Sequence, residues 1–105
     1  FSSRRRHTRY ISVTGVQTWA LPISPAGEVD LVVRRGKLVA FVEVKTRATA
    51  ADLDFAIDER RLARVAAAAE YLMPRYAGAG DDIRVDVILI APRTAPRHIE
   101  NAWMG

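Results

Sequence analysis

Two valine- and leucine-rich segments flank a single glycine in residues 27–47, and this stretch constrains the fold more than any other part of the chain. Residues 28–34 and 37–46 have the composition of β-strands, and Arg35-Gly36 between them supplies a glycine for a tight turn. Glycine readily adopts the positive φ that short hairpin turns require. The stretch therefore predicts an antiparallel hairpin.

The expected pairing of this hairpin collects charged side chains on one face. A two-residue turn at positions 35 and 36 predicts that Asp30 lies opposite Phe41 and that Glu28 lies opposite Glu43. Because side chains alternate between the faces of a strand, Glu28, Asp30, Glu43 and Lys45 are then expected on the same face.

Carboxylates held this closely repel one another unless a cation lies among them or one takes a proton. Mg²⁺ typically takes one or two carboxylates and keeps several waters. A lysine on the same face can orient a water or stabilise charge on a phosphate. The pattern predicts a metal-dependent phosphodiester-cleaving site, with an ordinary solvated strand face carrying surface ion pairs as the alternative.

Residues 58–76 have the spacing of an amphipathic helix. Asp58 is a candidate N-cap, and Pro74 is expected to kink or end the helix. The apolar stripe is expected to pack on the strand face that carries Leu38, Ala40, Val42 and Val44. Its members recur at intervals of three and four: Leu62, Val65, Ala66, Ala69, Leu72, Met73 and Tyr76.

Arginines form a second stripe on this helix. Arg60, Arg61, Arg64 and Arg75 are predicted to lie well apart from the apolar stripe. A solvated face is one interpretation. The other is a surface that follows a phosphate backbone, since arginine forms bidentate contacts with phosphate.

Residues 83–90 read as a buried third strand, interrupted by Asp86, which must have a partner if it is buried. The helix before it predicts a crossover, so this strand is expected to run parallel to residues 37–46. Residues 97–103 suggest a short last strand, in which His98 is interpreted as a surface or packing residue. The order of elements predicts an α/β or α+β layer fold with a mixed sheet.

Composition excludes several classes of protein. There is no cysteine, which excludes disulfides and thiolate metal sites, and no apolar run approaches the ~18 residues of a membrane span. We therefore expect no membrane partner and take the cytoplasm as the default location. The net charge of +4 arises from the four arginines of residues 1–24, a segment without acidic residues.

Residues 1–24 do not resemble the start of a folded domain, and a targeting peptide or a nucleic-acid-binding arm are two interpretations. The string also resembles the peptide obtained when sequencing-adapter DNA is translated in frame, except at Trp19, where that peptide has cysteine. We predict a non-native, disordered segment over residues 1–24. A single truncated domain is expected over residues 25–105.

Four motifs together resemble the uncharacterised bacterial YraN family. They are GEVDLV at 27–32, VEVKTR at 42–47, RVDV at 84–87 and HIENAW at 98–103. The family resembles the restriction-endonuclease-like superfamily and its archaeal Holliday-junction resolvases. The resemblance implies that fold, with a flanking helix on a mixed sheet and with the family's amino-terminal helix and strand missing here.

The resemblance also implies a site of the PD-(D/E)xK type. Asp30 and Glu43 are then expected to bind Mg²⁺ or Mn²⁺, Lys45 to act on the water or phosphate, and Glu28 to assist. Three hypotheses remain open: an endonuclease acting on DNA or RNA, branched or linear; a non-catalytic nucleic-acid-binding module; and a structural or protein-interaction domain, which the balanced charge of residues 25–105 allows. A homodimer is also left open. The candidate nucleic-acid contacts are Arg47, Arg60, Arg61 and Arg64.

Overall fold

The computed structural model describes residues 9–13, 15–20 and 22–103. A 3₁₀ helix at Ala51–Phe55 precedes the one α-helix found in these ranges, α1. The elements are β1 (Arg9–Val13), β2 (Val16–Ala20), β3 (Ile23–Ser24), β4 (Gly27–Glu28), β5 (Leu31–Arg35), β6 (Leu38–Thr46), α1 (Glu59–Tyr76), β7 (Asp82–Ile90) and β8 (Arg97–Ile99).

Six strands form one mixed sheet in the order β1-β2-β5-β6-β7-β8, and β3 pairs with β4 separately. β6 and β7 run parallel, and the other neighbouring strands of the sheet run antiparallel. The α/β class, the mixed sheet and the parallel pairing across the helix are therefore confirmed. Within the described residues, no helix is long and apolar enough to cross a membrane.

The hairpin of β5 and β6 forms in a different register from the one predicted. Gly36 adopts a φ of 60° and takes the first position of the turn, with Lys37 in the second. Arg35 therefore lies opposite Leu38, and Leu31 opposite Val42. The pairing is shifted by two residues, and because side chains alternate with a period of two, the residues of β5 and β6 keep their predicted faces.

The predicted packing face of the helix is wrong. α1 packs on the face of β6 that carries Val39 and Phe41, both fully buried, rather than on the face of Leu38 and Val44. The neighbouring strand β7 explains the choice, because on this face it presents only apolar side chains to the core, whereas its opposite face carries Arg84 and Asp86. The β7 core residues are Val85, Val87 and Leu89.

The helix itself forms as predicted. The carboxylate of Asp58 accepts a hydrogen bond of 2.9 Å from the backbone N–H of Arg60, so Asp58 is the N-cap. Pro74 lies in the last turn, and the helix ends two residues later at Tyr76. β8 is shorter than the predicted strand because the chain turns at Glu100-Asn101, where Asn101 has a φ of 53°.

Part of the amino-terminal segment lies in strands, and its predicted disorder stays a prediction. β1 and β2 pair with each other, and β2 extends the sheet along β5 from Val16 to Ala20. The ring of Trp19 packs against Tyr76 of α1 with 5.1 Å between centroids. This β-prone sequence satisfies the backbone of β5, which would otherwise be an edge strand. The segment's origin stays a prediction, and residues 1–8, 14 and 21 lie outside the described residues.

Candidate active site

Glu43 lies near the carboxyl end of β6 on the face covered by α1, and its side chain is only 2% exposed. Its Oε2 atom accepts a hydrogen bond of 2.7 Å from Arg61 Nε and lies 3.3 Å from Lys45 Nζ. Its Oε1 atom is buried and, while the nearby carboxyl groups are ionised, accepts no hydrogen bond from any described residue. Burying a carboxylate oxygen without a hydrogen-bond partner lowers the stability of the folded chain. Such an oxygen is typical of a site that binds a ligand.

Asp30 is brought beside Glu43 by the hairpin. It directly precedes β5, and its Oδ2 accepts a hydrogen bond of 2.7 Å from the backbone N–H of Val44. Burial raises the pKa of Asp30, and the charge and hydrogen bonding of Glu43 raise it further. The Val44 N–H and the charge of Arg61 oppose this rise in the pKa without cancelling it. The two carboxyl groups therefore interact directly.

Arg61 is placed in the site by the start of α1. The N-cap at Asp58 fixes the first turn of the helix, and Leu62 anchors that turn in the core at 3% exposure. Arg61 then projects beside this anchor toward Glu43, and together they line a small cavity with Lys45. The helical spacing predicts that Arg61 is either solvated or in contact with a phosphate backbone. Its ion pair with Glu43 depends on tertiary packing and has no signal in that spacing.

Glu28 does not join the other carboxylates. It is exposed and belongs to β4, which pairs with β3 and not with the main sheet. The chain bends at Asp30, and Val29 donates its backbone N–H to Pro22 O at 3.2 Å, so strand alternation does not extend back past Leu31. The expectation that all four charged residues share one face is therefore wrong for Glu28.

The donor set fits a hard divalent cation. Within residues 9–13, 15–20 and 22–103, no three Asp, Glu, His or Cys side chains are grouped to hold a metal ion. Two carboxylates do lie together, however, and Mg²⁺ typically binds one or two protein carboxylates and completes its shell with waters and substrate phosphate. The free Oε1 of Glu43 and the adjacent carboxyl of Asp30 are the groups suited to this role.

Two of the predicted nucleic-acid contacts, Arg61 and Arg64, adjoin this site. Arg60 and Arg64 are exposed on the first two turns of α1, and Arg64 lines a recess of about 130 Å³ with Arg61 and Glu28. Arg47 follows β6 and donates a hydrogen bond of 2.7 Å from its guanidinium to Thr46 O. Arg61 and Arg64 both line this recess, and arginine is a residue type suited to binding phosphate.

Asp86 forms a separate cluster on the opposite face of the sheet. Its side chain is 1% exposed and accepts hydrogen bonds from Arg84, from the Asn101 N–H at 2.9 Å and from His98 Nε2 at 2.8 Å, with His98 as the donor. Burial raises the pKa of Asp86, but these hydrogen bonds outweigh burial and hold the pKa below its usual value. The expected partner for this buried charge is confirmed, and His98 serves as part of it.

Fold and site together define an α/β protein with a carboxylate pair and a lysine at the carboxyl end of a strand, where sheet proteins commonly place ligands. The chain belongs to the uncharacterised protein family UPF0102, whose family model matches residues 5–90. This confirms the resemblance to the YraN family, which is the same family.

Individual relatives are similar over most of the chain. The UPF0102 protein of Erythrobacter litoralis is 66% identical over 80 residues, which cover 76% of this chain and 69% of that protein. The UPF0102 protein of Sphingopyxis alaskensis is 66% identical over 79 residues, which cover 75% of this chain and 68% of that protein. The UPF0102 protein of Methylorubrum extorquens is 41% identical over 115 residues, which cover 96% of this chain and 90% of that protein.

Proposed function

We propose that this chain is a metal-dependent, endonuclease-like domain that hydrolyses phosphodiester bonds in DNA or RNA, on a restriction-endonuclease-like fold. The observation that carries the proposal is the pairing of the half-buried Asp30 carboxyl with the buried Glu43, whose Oε1 is unpartnered when both are ionised and which has Lys45 beside it. Asp30 also accepts a hydrogen bond from the Val44 N–H, but that structural role does not require a second carboxyl group beside it, and Glu43 raises the electrostatic cost of the site.

Each residue has a distinct role in this proposal. Asp30 and Glu43 hold Mg²⁺ or Mn²⁺, which when bound polarises a phosphoryl oxygen and lowers the pKa of a coordinated water. Lys45 is 21% exposed, so its ammonium group can reach a phosphate or orient the attacking water. Arg64 contributes a phosphate contact next to the carboxylates, and Glu28 has an auxiliary role at the edge of the recess.

Cleavage assays test this function. The wild-type chain is incubated with Mn²⁺ or Mg²⁺ and with linear and branched DNA and RNA, beside Asp30→Asn and Glu43→Gln. We expect cleavage that requires metal and is lost in both variants, while circular dichroism shows an intact fold. Glu70→Gln, an exposed position on α1, is the matched control. Cleavage that survives in both site variants would overturn the assignment.

A second candidate, a nucleic-acid-binding module without turnover, is favoured by one observation. Glu43 Oε2 already interacts with two cationic side chains, Arg61 and Lys45, so the site carries its own neutralising charge. This candidate predicts binding in EDTA that weakens with salt, because phosphate contacts release counterions.

Fluorescence anisotropy across a salt series distinguishes this candidate. The double variant Arg60→Gln and Arg64→Gln should make the fall of log affinity with log salt less steep by about 2, since each phosphate contact contributes about 1 to the slope. Arg75→Gln, at the far end of α1, is the control for a change of net charge. An unchanged affinity in the double variant would reject the module.

A further inference from the structure

Arg61 occupies an unusual position, because it lines two neighbouring cavities. One is formed with Glu43, Lys45 and Leu62, and the other is the 130 Å³ recess formed with Arg64 and Glu28. The Arg61 side chain is 43% exposed, whereas Glu43 is 2% exposed. The carboxylate is therefore fixed by packing, while the guanidinium has open space beside it on the side of the recess.

The charges of the site balance only with Arg61 in place. Two carboxyl groups, Asp30 and Glu43, face the two cations Arg61 and Lys45, and the charge of Arg61 acts on Asp30 as well as on Glu43. A divalent cation bound to the same carboxylates would add two positive charges within a few ångströms of the guanidinium. Like charges at this separation repel, and the buried position of Glu43 limits how far solvent can screen that repulsion.

We propose that Arg61 is a built-in countercharge that competes with the divalent cation for Glu43. In the metal-free site its guanidinium neutralises Glu43 Oε2, and on cation binding it turns into the recess, whose lining includes the carboxylate of Glu28. This inference rests on the proposed function and makes Arg61 a positioning residue of that site.

The direction of one effect separates this role from a purely structural one. If Arg61 only held Glu43 in place, removing it would disorder the carboxylate and weaken cation binding. If Arg61 competes with the cation, removing it would release Glu43 and tighten cation binding, because a ligand binds more tightly when a competing interaction is removed.

Calorimetric titration with Mn²⁺ alone tests the inference, with circular dichroism of each variant to verify folding. We expect Arg61→Gln to bind Mn²⁺ about tenfold more tightly than wild type, a typical size for coupling between neighbouring ligands. Arg61→Lys restores the positive charge and should bind nearly as wild type does. Arg75→Gln makes the same charge change about 21 Å along α1 and should leave the affinity unchanged.

The outcomes separate this inference from the proposed function. Equal or weaker Mn²⁺ binding by folded Arg61→Gln, with clear binding by wild type, would overturn the inference and leave the metal site intact. An equal gain in Mn²⁺ affinity in Arg75→Gln would also overturn the inference, because the effect would then reflect the change in net charge alone. No binding by any folded variant would overturn the metal site itself, and the inference with it.

Discussion

The carboxylate of Asp30 accepts a 2.7 Å hydrogen bond from the backbone N–H of Val44. β5 begins only at Leu31, whereas β6 continues to Thr46, so this side chain satisfies a backbone donor just beyond the paired residues of the two strands. The bond also holds a carboxyl group next to Glu43. One residue therefore closes the hairpin ladder and completes the carboxylate pair.

The pH dependence of stability should report this pairing. The raised pKa of Asp30 means that the folded chain binds this proton more tightly than the unfolded chain. The stability that this proton contributes is therefore complete at a pH below the pKa of Asp30 in the unfolded chain. It is lost as the pH rises through the pKa of Asp30 in the folded chain. We expect the stability advantage of wild type over Asp30→Asn to shrink as the pH rises from about 4 toward neutrality.

Urea unfolding of both proteins across this pH range checks that expectation. Asp52→Asn, at an exposed position in the 3₁₀ helix, is the control for removing one carboxylate. A difference between wild type and Asp30→Asn that stays constant with pH, or that grows as the pH rises, would contradict the raised pKa.

The Asp86 cluster should contribute strongly to stability. Asp86→Ala leaves the Arg84 guanidinium and the Asn101 N–H without their partner, and we expect a loss of about 3 kcal/mol in the free energy of unfolding. Glu100→Gln, which removes an exposed partner 3.7 Å from the same Arg84, should cost less than about 1 kcal/mol. Equal losses in the two variants would show that burial of Asp86 is unimportant.

The same cluster should respond to acid. The pKa of Asp86 is lower in the folded chain than in the unfolded chain. Its contribution to folding stability is therefore present at a pH above the pKa of Asp86 in the unfolded chain, and is lost as the pH falls through the pKa in the folded chain. The stability difference between wild type and Asp86→Asn should therefore decrease in acid, which is the opposite of the dependence expected for Asp30. Unfolding curves below about pH 4 measure this decrease.

Packing of the amino-terminal strands can be tested at Trp19. Its ring contacts Tyr76, whose own ring meets Phe41 edge-on at 6.4 Å, so the three rings link β2, α1 and β6. We expect Trp19→Ala to lower the free energy of unfolding by about 2–3 kcal/mol, with Tyr71→Ala, an exposed aromatic of α1, as control. No loss beyond that of the control would mean that residues 16–20 do not pack on the fold.

Local patterns predicted the elements of residues 25–105 well, because their signals lie within a few residues. Asp58 is an N-cap that acts on its own first turn, and the apolar run of residues 83–90 marks a central strand. The packing face of β6 was not predictable in this way, because both of its faces are apolar over residues 38–42. The choice depends on β7, which is more than thirty residues away in sequence.

The candidate site was predicted only in part for the same reason. Strand alternation correctly placed Glu43 and Lys45 on one face, but it failed at Glu28, where the bend at Asp30 interrupts the strand. The ion pair between Arg61 and Glu43 requires knowledge of where the helix starts relative to the end of β6. That relation is set by packing in three dimensions and not by spacing in the chain.

Calorimetric titration of the wild-type chain with Mn²⁺, beside Asp30→Asn, tests whether Asp30 and Glu43 bind a metal ion. We expect binding by wild type that is lost or weakened at least tenfold in Asp30→Asn, because one of two carboxylate ligands has become a neutral amide. The asparagine Oδ1 can still accept the bond from Val44, so the fold should be retained. Equal Mn²⁺ binding by both folded proteins, or binding by neither, would contradict a metal site at Asp30 and Glu43.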